Sequence, residues 1–300
     1  MFTKMISAGS APMQEILGDP LLESSGVRLF VKRLDLLDPD IHGNKPFKLK
    51  YNIEEMRRSG CDTLLTFGGA YSNHLLATAH AGKKMGFKTI GIVRGEEFAH
   101  RGGPVVDRLR ALGMELVAVD RGAYRLKEQA AQVQAILQGR NDVYIVPEGG
   151  SNELAVQGCS EILTDDDQAF DKIYCACGTG TTLAGLSIAA RNAEVIGISV
   201  LEGGDFLTDA VLAYRAKAGF TPLGNWKVLT RYAFGGYAKQ TPELLDFIAA
   251  FKARTGIPIE PVYTGKLFYA VYDQVQRGAV PSGSKVMVVH SGGVREAVWV

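Results

Sequence analysis

The chain has 300 residues, 46% of them hydrophobic and 22% charged, and a formal net charge of +1. That size supports one large or two modest domains around sizeable cores. The balanced charge gives no global attraction to nucleic acid or a membrane surface, and no clustered basic stripe breaks it. Met1–Ser10 lacks the apolar core of a signal peptide, and no apolar run approaches the roughly 18 residues of a spanning helix, so a cytoplasmic protein is expected. The four cysteines, Cys61, Cys159, Cys175 and Cys177, are expected to be reduced, buried thiols. Cys175 and Cys177 alternate on a strand and share a face, and no further ligands stand at zinc-like spacing.

In chain order, Leu29–Arg33 reads as a strand. A helix follows Lys45, with Phe47, Tyr51, Ile53 and Met56 apolar and Gly60 as its stop. Thr63–Phe67 is a strand, and a helix runs from about Ser72 to Met85, ended by Gly86. Lys88–Val93 is the next strand. Pro104 opens a helix that Gly113 closes. Glu115–Val119 is a strand, a helix spans about Ala123–Leu137, and Asp142–Val146 is a strand. A second βα series begins near residue 153, with strands at Lys172–Ala176, Glu194–Ile198 and Lys285–Val289. Its helices lie near 181–191, 207–218, 241–255 and 265–277. The alternation predicts parallel strands with crossover helices, as two α/β layers sharing one chain. Ligands are expected at the carboxyl ends of strands, where the sheets switch direction.

Four segments carry chemistry. Gly178-Thr179-Gly180-Thr181-Thr182 stands between a strand and a helix. Its glycines let the backbone approach a phosphate, and the helix N–H groups and threonine hydroxyls can donate to it. No Lys stands where a Walker loop requires one. A dinucleotide fingerprint is the rival: Gly178-x-Gly180 is present and Glu202 lies about 20 residues on, but Leu183 holds the third glycine position. A plain tight turn is the bland reading. Lys45, just before a helix, is either an ordinary surface charge or, if desolvated, a nucleophile that can hold an aldehyde cofactor as a Schiff base. Lys48 shares its face and suits a phosphate. Ser72-Asn73 opens a helix after Gly68-Gly69, so Ser72 is either an N-cap or part of a carboxylate site. Although His74 is adjacent, Tyr71-Ser72-Asn73 is not the nucleophile elbow of a hydrolase. Tyr263 before the last helix is either core or a stacking platform.

Taken in order, Gly43-Asn44-Lys45-Pro46-Phe47-Lys48-Leu49, Gly69-Ala70-Tyr71-Ser72-Asn73-His74, Pro147-Glu148-Gly149-Gly150-Ser151-Asn152, Cys177–Thr182, Pro261-Val262-Tyr263-Thr264-Gly265-Lys266 and His290-Ser291-Gly292-Gly293 closely resemble the 1-aminocyclopropane-1-carboxylate deaminase/D-cysteine desulfhydrase family. The resemblance spans about residues 28–293. It implies an α/β, fold-type II, tryptophan-synthase-β-like enzyme using pyridoxal 5'-phosphate. Such a fold has two three-layer αβα domains with mainly parallel twisted sheets and the cofactor in the cleft between them. A large domain of residues 1–47 plus 153–300 and a small domain of 48–152 are expected, with a homodimer and a small amino-acid substrate.

The resemblance also implies roles. Lys45 would bind the cofactor covalently and move the α-proton. Asn73 would bond the phenolic oxygen. Lys48 with Gly178, Thr179, Gly180, Thr181 and Thr182 would bind the phosphate, and Tyr263 would stack on the ring. Ser72, with Asn73 and His74, would bind the substrate carboxylate, beside Tyr71, Glu148 and Gly149. Tyr237 matches a second active-site tyrosine, although the residues after it depart from the usual Gly-x-Pro-Asn. Thr264 stands where the deaminases resemble one another in having Glu opposite the pyridine nitrogen. A neutral partner makes a weaker electron sink, which suits loss of a thiolate better than opening of a cyclopropane. D-Cysteine desulfhydrase chemistry is therefore expected, with 1-aminocyclopropane-1-carboxylate deamination as the alternative. A non-catalytic cofactor binder and a nicotinamide oxidoreductase stand further off, since neither accounts for Lys45, Ser72, Thr179 and Tyr263 together. Tyr71 replaces the usual Gln and Glu148 a small apolar residue, and the Glu148 charge is expected to disfavour acidic substrates.

Overall fold

A computed structural model describes residues 11–98, 103–220 and 224–293; the N-terminal stretch Met1–Ser10 lies outside them. The first elements are β1 (Met13–Glu15), α1 (Pro20–Ser25), β2 (Arg28–Lys32), α2 (Lys45–Arg58), β3 (Thr63–Gly69), α3 (Asn73–Met85), β4 (Lys88–Arg94), α4 (Pro104–Ala111) and β5 (Glu115–Val119). There follow α5 (Arg121–Leu126), α6 (Ala131–Leu137), β6 (Val143–Val146), α7 (Glu153–Ser160), β7 (Lys172–Cys177), α8 (Thr181–Ala189) and β8 (Glu194–Ser199). The last are α9 (Phe206–Lys217), β9 (Trp226–Leu229), α10 (Pro242–Thr255), α11 (Thr264–Gln276) and β10 (Lys285–Val289).

The strands form two sheets. The four-stranded sheet has the order β5-β4-β3-β6 and is parallel throughout. The six-stranded sheet has the order β1-β2-β10-β7-β8-β9, and only β1 runs antiparallel to its neighbour. Each sheet reverses its direction of growth once. From β3 the chain adds β4 and β5 on one side and later β6 on the other. From β7 it adds β8 and β9 on one side and β10 on the other. Such reversals open a crevice at the carboxyl ends of the strands.

Helix boundaries follow the capping residues. Ser72 accepts the Leu75 N–H at 3.2 Å to start α3, and Gly86 ends it in the left-handed region. Thr241 caps α10, Pro242 occupies its first turn, and Gly256 closes it. α2 joins the two sheets: Ile53 and Met56 share one buried cluster with Leu64 and Ala77 from the smaller layer and with Val156, Cys159 and Leu183 from the larger. The α2–α7 contact is close because Gly158 lies against the Phe47 carbonyl, where any side chain would collide. Cys159, Cys175 and Cys177 are buried in the same cluster, and all four cysteines are free. Burial pushes the Cys177 thiol up to about 12, so it is a packing group rather than a nucleophile.

Three departures from expectation have local causes. The helix expected over 123–137 is broken. Asp120 caps it early through the N–H groups of Gly122 and Ala123, and Lys127 leaves the helix with a φ of 51°. A single 3-10 turn at Lys127–Gln129 then leads into α6. The edge strands β1 and β9 are three and four residues long, too short to print an alternating pattern. α1 and α7 also escape sequence periodicity, because they span only six and eight residues. No helix among the described residues is long and apolar enough to cross a membrane.

Candidate active site

A cavity of about 580 Å³ opens where the carboxyl ends of both sheets meet. Gly68 and Gly69 from β3, Arg94 from β4, Cys177 from β7, Leu201 beyond β8 and Ser291 beyond β10 all line it. Lys45, Lys48, Tyr71, Ser72, Asn73, His74, Glu148, Gly149, Gly178, Thr179, Gly180, Thr182, Tyr237 and Tyr263 line the same space. Thr181 and Thr264 are fully buried and do not line it.

One end of the cavity is built for an anion. Gly180, at a φ of 85°, leads into α8, and no side chain caps that helix. The first intrahelical bond runs from Ala184 N–H to the Gly180 carbonyl, so Thr181, Thr182 and Leu183 have N–H groups without a helical acceptor. Lys48 is 4% exposed, and its ammonium donates to the Gly149 carbonyl at 3.0 Å and to Thr179 Oγ1 at 3.3 Å. A lysine has three N–H donors, so one remains for a ligand. Burial lowers the Lys48 pKa, which a bound dianion would reverse. Ser151 Oγ donates to Thr179 Oγ1 at 2.8 Å and sets that hydroxyl. This surplus of buried donors fits a phosphate group.

Lys45 is the first residue of α2, and its Nζ donates to Asn44 Oδ1 at 2.5 Å. Asn44 Nδ2 in turn donates to Thr182 Oγ1 at 2.8 Å. Asn44, which the residue-by-residue reading passed over, therefore ties the amine to the anion site. Gly43 lies directly under the Ser291 carbonyl at a φ of 65°, and no other residue could take that position. This close approach sets the start of α2 against the loop after β10.

At the start of α3, Ser72 Oγ accepts the Leu75 N–H and keeps its own proton to donate. Asn73 lies beside Gly293, with its Nδ2 3.2 Å from where a Cβ would stand. His74 differs from expectation. Thr66 Oγ1 donates its single proton to the Val146 carbonyl at 2.7 Å, so it accepts from His74 Nε2 at 2.9 Å. This fixes the tautomer: Nε2 carries the proton, and Nδ1 is a buried acceptor without a hydrogen-bond partner. Burial, then Lys45 and Lys48, hold the ring well below the usual histidine range. The neutral ring has no N–H left for a carboxylate, so its bonds support the start of α3 instead.

Glu148 also departs from expectation. Its carboxylate accepts from Tyr124 Oη at 2.7 Å and from Lys127 Nζ at 2.6 Å, and it no longer faces the cavity as a free charge. Arg94 and Arg121 also line the cavity. Tyr263 packs on Gly178, its Cε1 3.4 Å from where a Cβ would stand, and donates to Tyr237 Oη at 3.2 Å. Burial raises the pKa of both phenols. Thr264 Oγ1 donates to Glu260 Oε1 at 3.1 Å and accepts the Glu260 N–H at 2.8 Å. The Glu260 carboxylate, 2% exposed, also accepts the N–H groups of Val262, Tyr263 and Thr264. The neutral threonine is thus backed by a buried carboxylate that the sequence reading did not single out.

The family of pyridoxal-phosphate dependent enzymes matches residues 10–292. A putative 1-aminocyclopropane-1-carboxylate deaminase of Pyrococcus horikoshii is 33% identical over 283 residues, covering 90% of this chain and 85% of the relative. A mitochondrial bifunctional D-cysteine desulfhydrase/1-aminocyclopropane-1-carboxylate deaminase of Arabidopsis thaliana is 30% identical, covering 90% and 73%. The crystal structure of an ACC deaminase homologue superposes with a TM-score of 0.81 at 30% identity, covering 95% of this chain and 89% of the other. With a cavity-facing lysine amine and a buried anion site already in place, this match identifies the chain as a member of the pyridoxal-phosphate dependent enzyme family.

Proposed function

We propose that the chain is a lyase acting on a small amino acid, with D-cysteine converted to pyruvate, sulfide and ammonia as the favoured reaction. The observation that carries this reading is the convergence of the Lys45 amine, the uncapped start of α8 and the Ser72 helix start on one cavity. When bound, pyridoxal phosphate draws electron density from the α-carbon of an attached amino acid. Lys48, Thr179, Thr182 and the α8 N–H groups would hold its phosphate. Lys45 would hold it covalently between turnovers, Tyr263 would cover its ring, and Asn73 would donate to its phenolic oxygen.

The substrate carboxylate would take the Ser72 proton at the positive end of α3. Lys45 then moves the α-proton, and the Asn44 carbonyl oxygen orients its amine. Tyr237 and Tyr263 stay protonated at neutral pH and can donate to a departing thiolate. Thr264, buried behind the cavity wall with its hydroxyl proton on Glu260, would itself bring no charge to the pyridine nitrogen, which favours loss of a thiolate over opening of a carbon ring. The other reading, deamination of 1-aminocyclopropane-1-carboxylate to 2-oxobutanoate and ammonia, gains from the Glu260 carboxylate 3.1 Å behind Thr264.

A keto-acid assay on cofactor-loaded protein, offered the two substrates separately, tests both. Pyruvate with sulfide from D-cysteine alone supports the favoured reading. 2-Oxobutanoate from the cyclopropane substrate transfers support to the second, and no keto acid from either removes both.

A further inference from the structure

Lys266, on the first turn of α11, is fully buried. Its Nζ donates to the Gly236 carbonyl at 2.6 Å, the Ala233 carbonyl at 2.7 Å and the Val200 carbonyl at 3.3 Å. These three bonds use every donor the ammonium has. No carboxylate comes within salt-bridge distance of it among the described residues, although the buried Glu260 carboxylate favours its charged form from further off. One side chain therefore ties together the loop after β8, the loop that carries Tyr237 and the helix that follows Tyr263.

The Tyr237 loop needs such a restraint. Phe234 has a φ of 51° and Ala238 of 57°, a region that L side chains occupy reluctantly, and Gly235 and Gly236 between them are also positive. The backbone bonds within it, Gly236 N–H to Ala233 and Lys239 N–H to Gly236, close turns but do not attach it to the body of the protein. Both carbonyls that cap those turns also take a Lys266 proton. Tyr237, 43% exposed at the cavity, stands T-shaped to Tyr263 with ring centroids 5.9 Å apart. Lys266 thus bonds the loop that carries Tyr237 to the helix that Tyr263 precedes.

We propose that Lys266 is a positioning residue that fixes Tyr237 in the cavity by clamping the carbonyls of residues 233 and 236. The proposal rests on the reading of the cavity as the active site, in which Tyr237 takes part. Lysine serves here because a compact ammonium can bond three carbonyls that diverge from one point, whereas a planar guanidinium cannot. Burial without a paired anion is costly, so a packing role alone would be met better by an apolar side chain.

The test uses cofactor-loaded protein and reads two quantities, amide hydrogen exchange across residues 231–240 and turnover of D-cysteine. In Lys266→Met, exchange at 233–239 should rise by about tenfold or more, as expected for loss of charge-assisted bonds. kcat should fall while cofactor absorbance is retained. In Lys266→Ala, ethylammonium should restore protection and rate, and trimethylammonium, which has a single N–H, should not. Unchanged protection in either variant, or equal rescue by both amines, overturns the clamp. A chain that folds under none of these conditions overturns it as well, because Lys266 would then determine the fold rather than the place of Tyr237. Tyr237→Phe separates the two readings. A wild-type rate in that variant removes Tyr237 from the reaction, while the exchange measurement still decides the clamp.

Discussion

The two ends of the cavity are built differently. At the anion end, Lys48, Thr181 and Thr182 are buried, and their side chains already bond to neighbours in the chain. At the open end, Tyr71 is 51% and Tyr237 43% exposed. The rim there consists of loop side chains that pair among themselves: Tyr71 edge-on to Phe98, and Glu148 with Lys127 and Tyr124. The first end is preorganised and should set cofactor affinity. The second is adjustable and should set substrate choice.

The largest break falls where the two ends meet. Lys45→Ala should lower kcat by at least about 10³-fold, the scale of losing a proton-transfer group and covalent anchor together. A near wild-type rate would remove Lys45 from the chemistry. Lys48→Ala should raise the cofactor Kd by about 10- to 100-fold, the loss of charge-assisted bonds. The relative rates on D-cysteine and other amino acids at saturating cofactor should not move. A shift in that ratio, followed by initial rates, would show that the two ends are coupled.

Ser72 allows a finer cut, because it both caps α3 and faces the open end. Ser72→Ala should cost about 1 kcal/mol of stability and raise KM. Ser72→Asp should recover the stability through its own cap yet keep a high KM, since it repels a carboxylate. Equal recovery of both in denaturation and kinetic measurements would reduce Ser72 to a cap.

The smallest effect is one of pH. His74 is held neutral in the folded chain, below the ordinary value of 6.5. As pH falls through 6.5, the unfolded chain therefore takes up a proton that the folded chain refuses, and stability declines. His290, also lowered by burial, adds to the slope. His74→Gln should flatten the decline measured by urea unfolding from pH 7 downward, and an unchanged slope would mean that His74 titrates normally.

What could be read from the sequence was what neighbours in the chain decide. Gly86 and Gly256 end helices by their own conformation, Ser72 and Pro242 begin them, and Gly178–Thr182 names an anion loop by composition. What could not be read were partnerships across long separations. Lys127 reaches forward over 21 residues to Glu148, and Lys266 spans 66 residues to Val200. Lys127 sits in unremarkable local sequence, and Lys266, although it ends the Pro261–Lys266 motif, carries no local sign of the carbonyls it bonds. Glu260 escaped for another reason: a carboxylate four residues before Thr264 reads as surface charge until the α11 turn folds it over its own backbone N–H groups. The tautomer of His74 depended on the Val146 carbonyl, 80 residues from Thr66.

The strand order has a consequence for synthesis. β10, last of the strands in chain order, is not an edge strand; it lies between β2 and β7, with Val286 opposite both Leu29 and Lys172. The four-stranded sheet takes all its strands from residues 63–146 and can close while the chain is still emerging. The larger sheet must keep a gap at its centre, with β2 waiting for more than 250 residues to be made. Since Ser291 and its glycines follow β10 after one residue, the floor under Gly43 is the last part of the cavity to exist. A nascent chain would therefore present the Gly68–His74 loop long before it could retain a cofactor.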